Sequence, residues 1–272
     1  MGWRVLLLFC LLSVSAYADK NKDKAKHRQG EVVFDLPVPD ALPPVPPIER
    51  GLRPVRELNS PIRHTVSQQQ GIDVSHYQGN INWDQVARDG NVQFVYIKAT
   101  EGSDLVDEFY LRNLYGAKRA GIPVGVYHFY RPNAGTITQI QNFRAVAEPW
   151  QHDLIPIVDV EKRGKGPLSQ FQGRLRAFLK EVEAFYGVKP IIYTGVNFYA
   201  AYLEGKFTEY RFMVARYAEE FPGLSEDVPI VLWQYTSKGQ IDGIRGHVDR
   251  SVFLDKYGVV DILLPSATKG KK

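Results

Sequence analysis

Two acids stand two residues apart at the end of an apolar run, Asp159 and Glu161 in the segment IPIVDVE (155–161). Residues i and i+2 of a strand face the same side, so the pair would sit side by side above Ile155 and Ile157 as inward core positions. At about 3.3 Å rise per residue their Cα atoms would lie roughly 6.5 Å apart. Two acids on one face repel, and partial burial raises the proton affinity of at least one. That combination suits hydrolysis of a glycosidic bond: one carboxylic acid protonates a leaving oxygen, and carboxylates stabilise a developing oxocarbenium cation. Side-chain rotation spreads the carboxylate separation over the retaining and inverting ranges, so spacing leaves the stereochemistry open. A single acid here would read as a solvated loop end or a helix cap; the pair reads as chemistry.

Three further acids fall at the ends of apolar segments. Asp73 closes GIDVS (71–75), Glu101 follows FVYIKAT (94–100), and Asp249 lies in HVDRSVF (247–253). Asp73 reads equally well as a cap for the turn that follows. Lys98, inside its strand, needs an acid partner or a route for its ammonium to water. Aromatic residues are frequent in or just after the strands, and aromatic faces pack against sugar C–H faces, although the same residues serve core packing. Tyr130, Tyr193 and Tyr235 are the expected cleft aromatics because they sit at strand ends, with Gln234 beside them. His128 reads as a hydrogen-bonding strand-end histidine. His76, His128 and Asp73 lack a metal-ligand spacing such as H-E-x-x-H, so neither metal nor cofactor is expected. No phosphate loop, dinucleotide fingerprint or G-x-S-x-G elbow is present.

These residues need a scaffold. Candidate strands are 71–75, 94–100, 123–130, 155–161, 190–195, 211–218, 230–236 and about 247–253. The clearest helix is 169–186, where Phe171, Leu175, Phe178, Val182 and Phe185 form one apolar stripe, with Ser169 suited to the N-cap and Gly187 to the stop. A second helix is expected at about 107–120, closed by Gly121. Strands alternating with helices imply right-handed crossovers and a parallel sheet, and eight of them imply a closed β/α barrel with its chemistry at the C-terminal strand ends. The last two connections, of about a dozen and about ten residues, are too short for full helical crossovers. The expected fold is α/β: a single incomplete (flattened) β/α barrel of about eight strands and five main helices, preceded by a Pro-rich spacer.

The 272 residues carry 34 Lys+Arg against 30 Asp+Glu, and 44% are hydrophobic. These values suit an ordinary folded domain and exclude disorder as the main description. The net charge of +4 is mixed in sign along the chain and demands no nucleic acid. Arg4, an apolar run from Val5 to Val14 and then Ala16-Tyr17-Ala18 read as a signal peptide over 1–18. The run is too short to span a bilayer, which takes roughly 20 residues. An uncleaved anchor is the alternative; acylation of Cys10 fits poorly because Phe9 is bulky where a small residue is needed. Cleavage would remove the one cysteine and leave an exported protein without a disulfide, periplasmic or extracellular and off the membrane. Residues 19–70 are charged and then Pro-rich, with eight of 17 prolines in 35–61, and read as a linker or as an arm on the domain surface. The barrel is expected over 71–257, with 258–272 as a tail.

Taken in order, GIDVSHYQGNINW (71–83), FVYIKATEG (94–102), AGIPVGVYHFY (120–130), IPIVDVE (155–161), IIYTG (191–195) and WQYTSKGQIDGIRGHVDRSVF (233–253) resemble the family 25 glycoside hydrolases, the Chalaropsis-type lysozymes or N-acetylmuramidases. The resemblance implies a flattened barrel and cleavage of the β-1,4 bond between N-acetylmuramic acid and N-acetylglucosamine in peptidoglycan glycan strands, by a monomer. By the family's D-x-E pattern it implies Glu161 as general acid/base, with Asp159 stabilising charge or orienting the substrate's acetamido group. Asp73 and Asp249 match the family's first-strand and V-D acids. Retention through an enzyme carboxylate or through the substrate's own acetamido group both stay open, the acetamido group being the favoured route. Glu101, Lys98, His128, Tyr130, Tyr193, Gln234 and Tyr235 are the expected substrate-binding residues. The sequence departs from the pattern at Arg131-Pro132-Asn133, at Arg250-Ser251 and in the basic cluster Lys162, Arg163, Lys165 after Glu161, which bears on substrate range. Two rivals remain. A chitinase-like enzyme would carry D-x-x-D-x-D-x-E, but Leu154 and Ile157 occupy its first two aspartate positions. A non-catalytic wall-binding barrel would not require all four acids.

Overall fold

A computed structural model describes residues 66–219, 221, 229–254 and 257–265. The expected signal segment, most of the Pro-rich stretch and the last seven residues lie outside the described residues.

Nine strands form one sheet: β1 (Val66–Val74), β2 (Phe94–Glu101), β3 (Leu105–Val106), β4 (Val124–Phe129), β5 (Ile157–Asp159), β6 (Ile191–Gly195), β7 (Arg211–Ala215), β8 (Ile230–Gly239) and β9 (Val248–Leu254). Their order is β1-β9-β8-β7-β6-β5-β4-β2-β3, and a β1–β2 pairing closes eight of them into a barrel, with β3 appended to β2. Among the described residues five helices accompany them: α1 (Trp83–Asp89), α2 (Tyr110–Arg119), α3 (Thr136–Val146), α4 (Leu168–Tyr186) and the short α5 (Val196–Phe198), which widens into a π-helical turn over Tyr199–Leu203. The ring of strands is complete; the gap is in the helical layer. No helix joins β8 to β9, and none of the described residues between β7 and β8 is helical.

All eight expected strands form, but not all run parallel. β9 is antiparallel to both its neighbours, β8 and β1. Eight residues (240–247) separate it from β8, too few for a crossover that carries a helix, so the chain turns back. The reversal puts the start of β9 at the barrel end where the parallel strands finish.

β1 begins at Val66, five residues ahead of the expected domain start at 71. Gln70 is fully buried, and its Oε1 accepts from Tyr235 (2.8 Å) and from Arg250 (2.6 Å). The first residues of the strand therefore belong to the barrel.

The long helix starts at Leu168 behind Pro167, so Ser169 lies inside the first turn rather than capping it. It ends as expected: Gly187 takes φ +69°, and its N–H donates to Glu183 O. Phe171, Leu175, Phe178 and Val182 are buried against the sheet. Inside the barrel large residues meet small ones. Tyr96 is fully buried opposite Gly125, where a Cβ would come within 2.2 Å of its ring. Its hydroxyl donates to Ile155 O at 3.0 Å, which satisfies the polar tip of a core tyrosine.

Candidate active site

Strand register assembles the site. Glu101 pairs with Phe129, Phe129 with Asp159, Asp159 with Tyr193, and Tyr193 with Met213. This row from five strands lines one wall of a cavity of about 400 Å³. Tyr127 and Ile157, also paired, lie two residues earlier on the same inward face. The opposite wall carries Asp73 and Asp249, direct partners across β1 and β9.

Glu161 stands just past the end of β5, exposed at the rim. The backbone that carries it is tied on both sides. Tyr130 N–H donates to Asp159 O (2.9 Å), Val160 N–H donates to Tyr193 O (2.8 Å), and Thr194 Oγ1 donates to Val160 O (2.8 Å). A second cavity, lined by Tyr217, Phe198 and Asn197 among others, shares Glu161 and Tyr193 with the first. Glu161 thus sits where two arms of one cleft meet.

Asp73 is held by a chain of hydrogen bonds across the barrel. Gln234 Nε2 donates to Asp73 Oδ2 (3.0 Å), and Gln234 Oε1 accepts from Tyr193 (2.9 Å) and Tyr217 (3.3 Å). Ser251 Oγ donates to the same carboxylate oxygen at 3.4 Å. Asp159 is buried, and its Oδ1 has no hydrogen-bond partner among the described residues.

Burial dominates the electrostatics of the four acids. It pushes Asp73 up to about 7, helped by Asp249 opposite, against the bonds from Gln234 and Ser251. Burial and then Glu161 push Asp249 up to about 6. Asp159 is raised well above the carboxylate range by burial and by the charge of Glu161. The cleft walls raise Glu161 by desolvation, while Lys162, Arg131 and Lys98 pull it back. Glu101 behaves oppositely. Desolvation would raise it, but hydrogen bonds from Lys98 and Arg131 hold it below the usual range. Such an array can retain a proton near neutral pH and also offer negative charge, the requirement for acid/base work on a glycosidic bond.

Lys98 and Glu101 both line the cavity, although strict alternation would send them to opposite faces. A register shift between Lys98 and Thr100 on β2 inserts one extra residue, and a bulge of this kind re-aims side chains. The Lys98 ammonium then donates to Glu101 Oε2 at 2.6 Å.

Of the residues expected from sequence, Asp73, Lys98, Glu101, Asp159, Glu161, Tyr193, Gln234 and Asp249 line the cavity. His128, Tyr130 and Tyr235 do not. With Tyr127 and Phe129 facing inward, alternation turns His128 and Tyr130 out toward α3 and α4. His128 bonds Thr100 Oγ1 (2.7 Å) and Gln139 (3.2 Å) and packs on Phe178, and its pKa falls to about 4 through desolvation. Tyr130 packs on Phe178 as well. Tyr235 lies with Trp233, Val252 and Leu254 in a cluster on the outer side of β8 and β9, next to Gln234 but on the other face. Tyr77, Gln78, Phe129 and Met213 line the cavity without having been chosen from the sequence, and Arg131 and Lys162, named there only as departures bearing on substrate range, line it too. For Phe129, counting in twos from an inward anchor on the strand was the signal available. Among the described residues no group of three or more His, Cys, Asp or Glu is disposed to hold a metal ion.

Comparison with known proteins agrees with this geometry. Residues 72–244 match the family described as "Glycosyl hydrolases family 25". Lysozyme M1 of Streptomyces globisporus is 34% identical over 198 residues, covering 68% of this chain and 67% of that protein. YegX of Escherichia coli strain K12 is 39% identical over 209 residues, covering 75% of each chain. The crystal structure of a bacterial lysozyme from Streptomyces coelicolor superposes with a TM-score of 0.65 at 31% identity, covering 72% of this chain and 95% of that one.

Proposed function

This chain belongs to the glycosyl hydrolases family 25, and from that premise we propose that it is a muramidase, cleaving the β-1,4 bond from N-acetylmuramic acid to N-acetylglucosamine in peptidoglycan. The observation that carries the reading is the convergence of Asp73, Asp159, Glu161 and Asp249 on one cleft, with Glu161 at the junction of its two arms.

Glu161 is the general acid. It alone among the four is exposed at the rim, and desolvation by the cleft walls keeps its proton affinity above that of a free glutamate. It gives its proton to the glycosidic oxygen as the C1–O bond breaks. The substrate's acetamido carbonyl oxygen bonds to C1 as that bond opens, forming an oxazolinium ion. The acetamido N–H donates to Asp159 Oδ1, supplying the partner this buried oxygen lacks among the described residues. Water then attacks C1 from the face the leaving group vacated, the C1–O bond of the oxazolinium breaks to restore the acetamide, Glu161 takes the proton of the water, and the configuration is retained. Asp73 and Asp249 hold the negative potential of the far wall, and Gln234 fixes Asp73 in place. Tyr193 and Tyr217 line the second arm, where sugar rings would pack. The protein works as an exported monomer, 1–18 being its signal and 19–65 the spacer ahead of the barrel.

The test is mass spectrometry of fragments released from purified peptidoglycan, with Glu161→Gln in parallel. Reducing muramic-acid ends, absent with the variant, are expected. Reducing N-acetylglucosamine ends would change the bond assigned. Folded protein that releases nothing from several wall types would overturn the enzymatic reading in favour of wall binding.

A further inference from the structure

Phe129 is surrounded by cations. The Lys98 ammonium lies 5.4 Å from its ring centroid, the Arg131 guanidinium 4.6 Å and the Lys162 ammonium 5.8 Å. All four residues line the first cavity, the one that holds Asp73, Asp159 and Asp249. The ring therefore serves as a platform for positive charge rather than as a free face for a sugar.

The charges do not cancel locally. Glu101 takes both Lys98 (2.6 Å) and Arg131, whose Nε donates to Oε1 at 2.7 Å. Glu101 is the one carboxylate ion-paired to any of these three cations among the described residues, while the neighbouring Asp159 and Glu161 make no ion pair with them and are pushed toward their neutral forms by burial, which leaves the patch positive. Lys162 has no carboxylate within ion-pair distance among the described residues; its ammonium is exposed and near the ring.

The patch is built by two loops that grip each other. Asn133 Oδ1 accepts from Lys165 N–H at 3.3 Å. Gly164 sits at φ +73°, and a Cβ there would lie 2.6 Å from Asn133 Oδ1 and 3.0 Å from Pro132 Cγ. Only glycine allows this approach. The contact brings Arg131, two residues past the end of β4, and Lys162, the residue after Glu161, over one ring.

We propose that the Lys162–Arg131–Phe129 wall binds a carboxylate carried by the substituent on the muramic acid ring, making the cleft selective for anionic glycans over neutral ones. This rests on the muramidase reading. The carboxylate has two possible sources: the lactyl group itself, where no peptide is attached, or the peptide joined to it. A neutral polymer of N-acetylglucosamine would leave Lys162 facing no counter-charge and Arg131 with Glu101 alone.

Binding of non-hydrolysable disaccharides tests this on the full chain by titration calorimetry at low salt. The ligands are N-acetylglucosaminyl-N-acetylmuramic acid with a free lactyl carboxylate, the same sugar with a dipeptide bearing free carboxylates, and the same dipeptide ligand with every carboxylate amidated. Their glycosidic bond is not the one the proposed reaction cuts. At least one free-carboxylate ligand should bind about fivefold tighter than the amidated one, and which one does so identifies the source. Lys162→Gln should reduce the difference to less than about twofold, raised salt should do the same, and Lys162→Arg should restore it. Lys162 is exposed, so the exchange spares the core. Equal affinities for charged and amidated ligands, an undiminished difference in Lys162→Gln, or no binding by any ligand would overturn the proposal. Failure of the muramidase reading shows separately, as an absence of released fragments from peptidoglycan.

Discussion

Asp73 and Asp249 are direct cross-strand partners on the antiparallel pair β1 and β9. Like charges so placed destabilise a sheet when both ionise. The barrel tolerates the pair because burial and proximity raise both acids, Asp73 to about 7 and Asp249 to about 6, so the wall is not fully charged at neutral pH.

Asp73→Asn should raise thermal stability as pH rises. The folded pKa of Asp73 lies above its unfolded value, so the stability it contributes is full below about pH 4 and is lost as pH rises through about 7. Asparagine is neutral throughout. The variant should match the native protein near pH 4 and exceed it by about 2 kcal/mol near pH 8, a Tm gain of roughly 4–8 °C, with activity reduced. A Tm difference that is flat with pH, measured by scanning calorimetry, would contradict the buried charge.

Glu161→Gln removes the donated proton and nothing from the core. Turnover on peptidoglycan should fall by about 10²–10⁴, with Tm within about 1 °C of the native protein, as for an exposed substitution. Near-native turnover by the folded variant would exclude Glu161 as the acid.

The alkaline limb of the kcat/KM profile should report Glu161 within its coupled acid cluster. Lys162 lowers the proton affinity of Glu161, so Lys162→Gln should move that limb to higher pH. A limb that stays put or moves down would mean another group governs it.

Tyr193→Phe removes the hydroxyl that donates to Gln234, which in turn donates to Asp73. The phenol is strongly held in its neutral form by burial and by Asp159, so what is lost is a hydrogen bond, not a titrating base. Activity should drop by about tenfold, corresponding to roughly 1.4 kcal/mol. An unchanged kcat/KM would show that Gln234 holds Asp73 without this support.

A chain shortened to begin at 71 should lose several kcal/mol relative to one beginning at 66, because it lacks Gln70 and leaves Tyr235 and Arg250 without their buried acceptor. Equal Tm values for the two would place the working start of the domain at 71.

Much of this architecture was legible in the residues, and the failures have physical causes. The eight strands stood out because apolar runs were bounded by glycine, proline and polar turns. The acids stood out because a carboxylate after four apolar residues is costly unless used. Facing was harder to read. YHFY (127–130) is apolar or aromatic on both sides, since a barrel strand is buried by the interior and by the helices, so no alternation marked Tyr127 and Phe129 as inward. The bulge that turns Lys98 and Glu101 the same way leaves no local signature. Asp249 lies near the start of its strand, which a fully parallel barrel would have placed at the wrong end; only the reversal of β9 brings it to the cleft. The Arg131–Lys162 wall depends on two loops about thirty residues apart in sequence meeting at Gly164, a non-local contact that pattern reading does not reach.

The pairing of Val66 with Leu254 gives the molecule a front and a back. The chain enters β1 and leaves β9 side by side, at the end of the barrel opposite the acids. The segment that follows stays there: Leu264 N–H donates to Asp153 O and Ile155 N–H to Ile262 O, beneath the start of β5. A tether joined where the described chain enters at Val66, or just after Leu264, is therefore applied to the rear of the domain. The mouth of the cleft is left on the opposite face, clear of the points where the described chain enters and leaves the barrel.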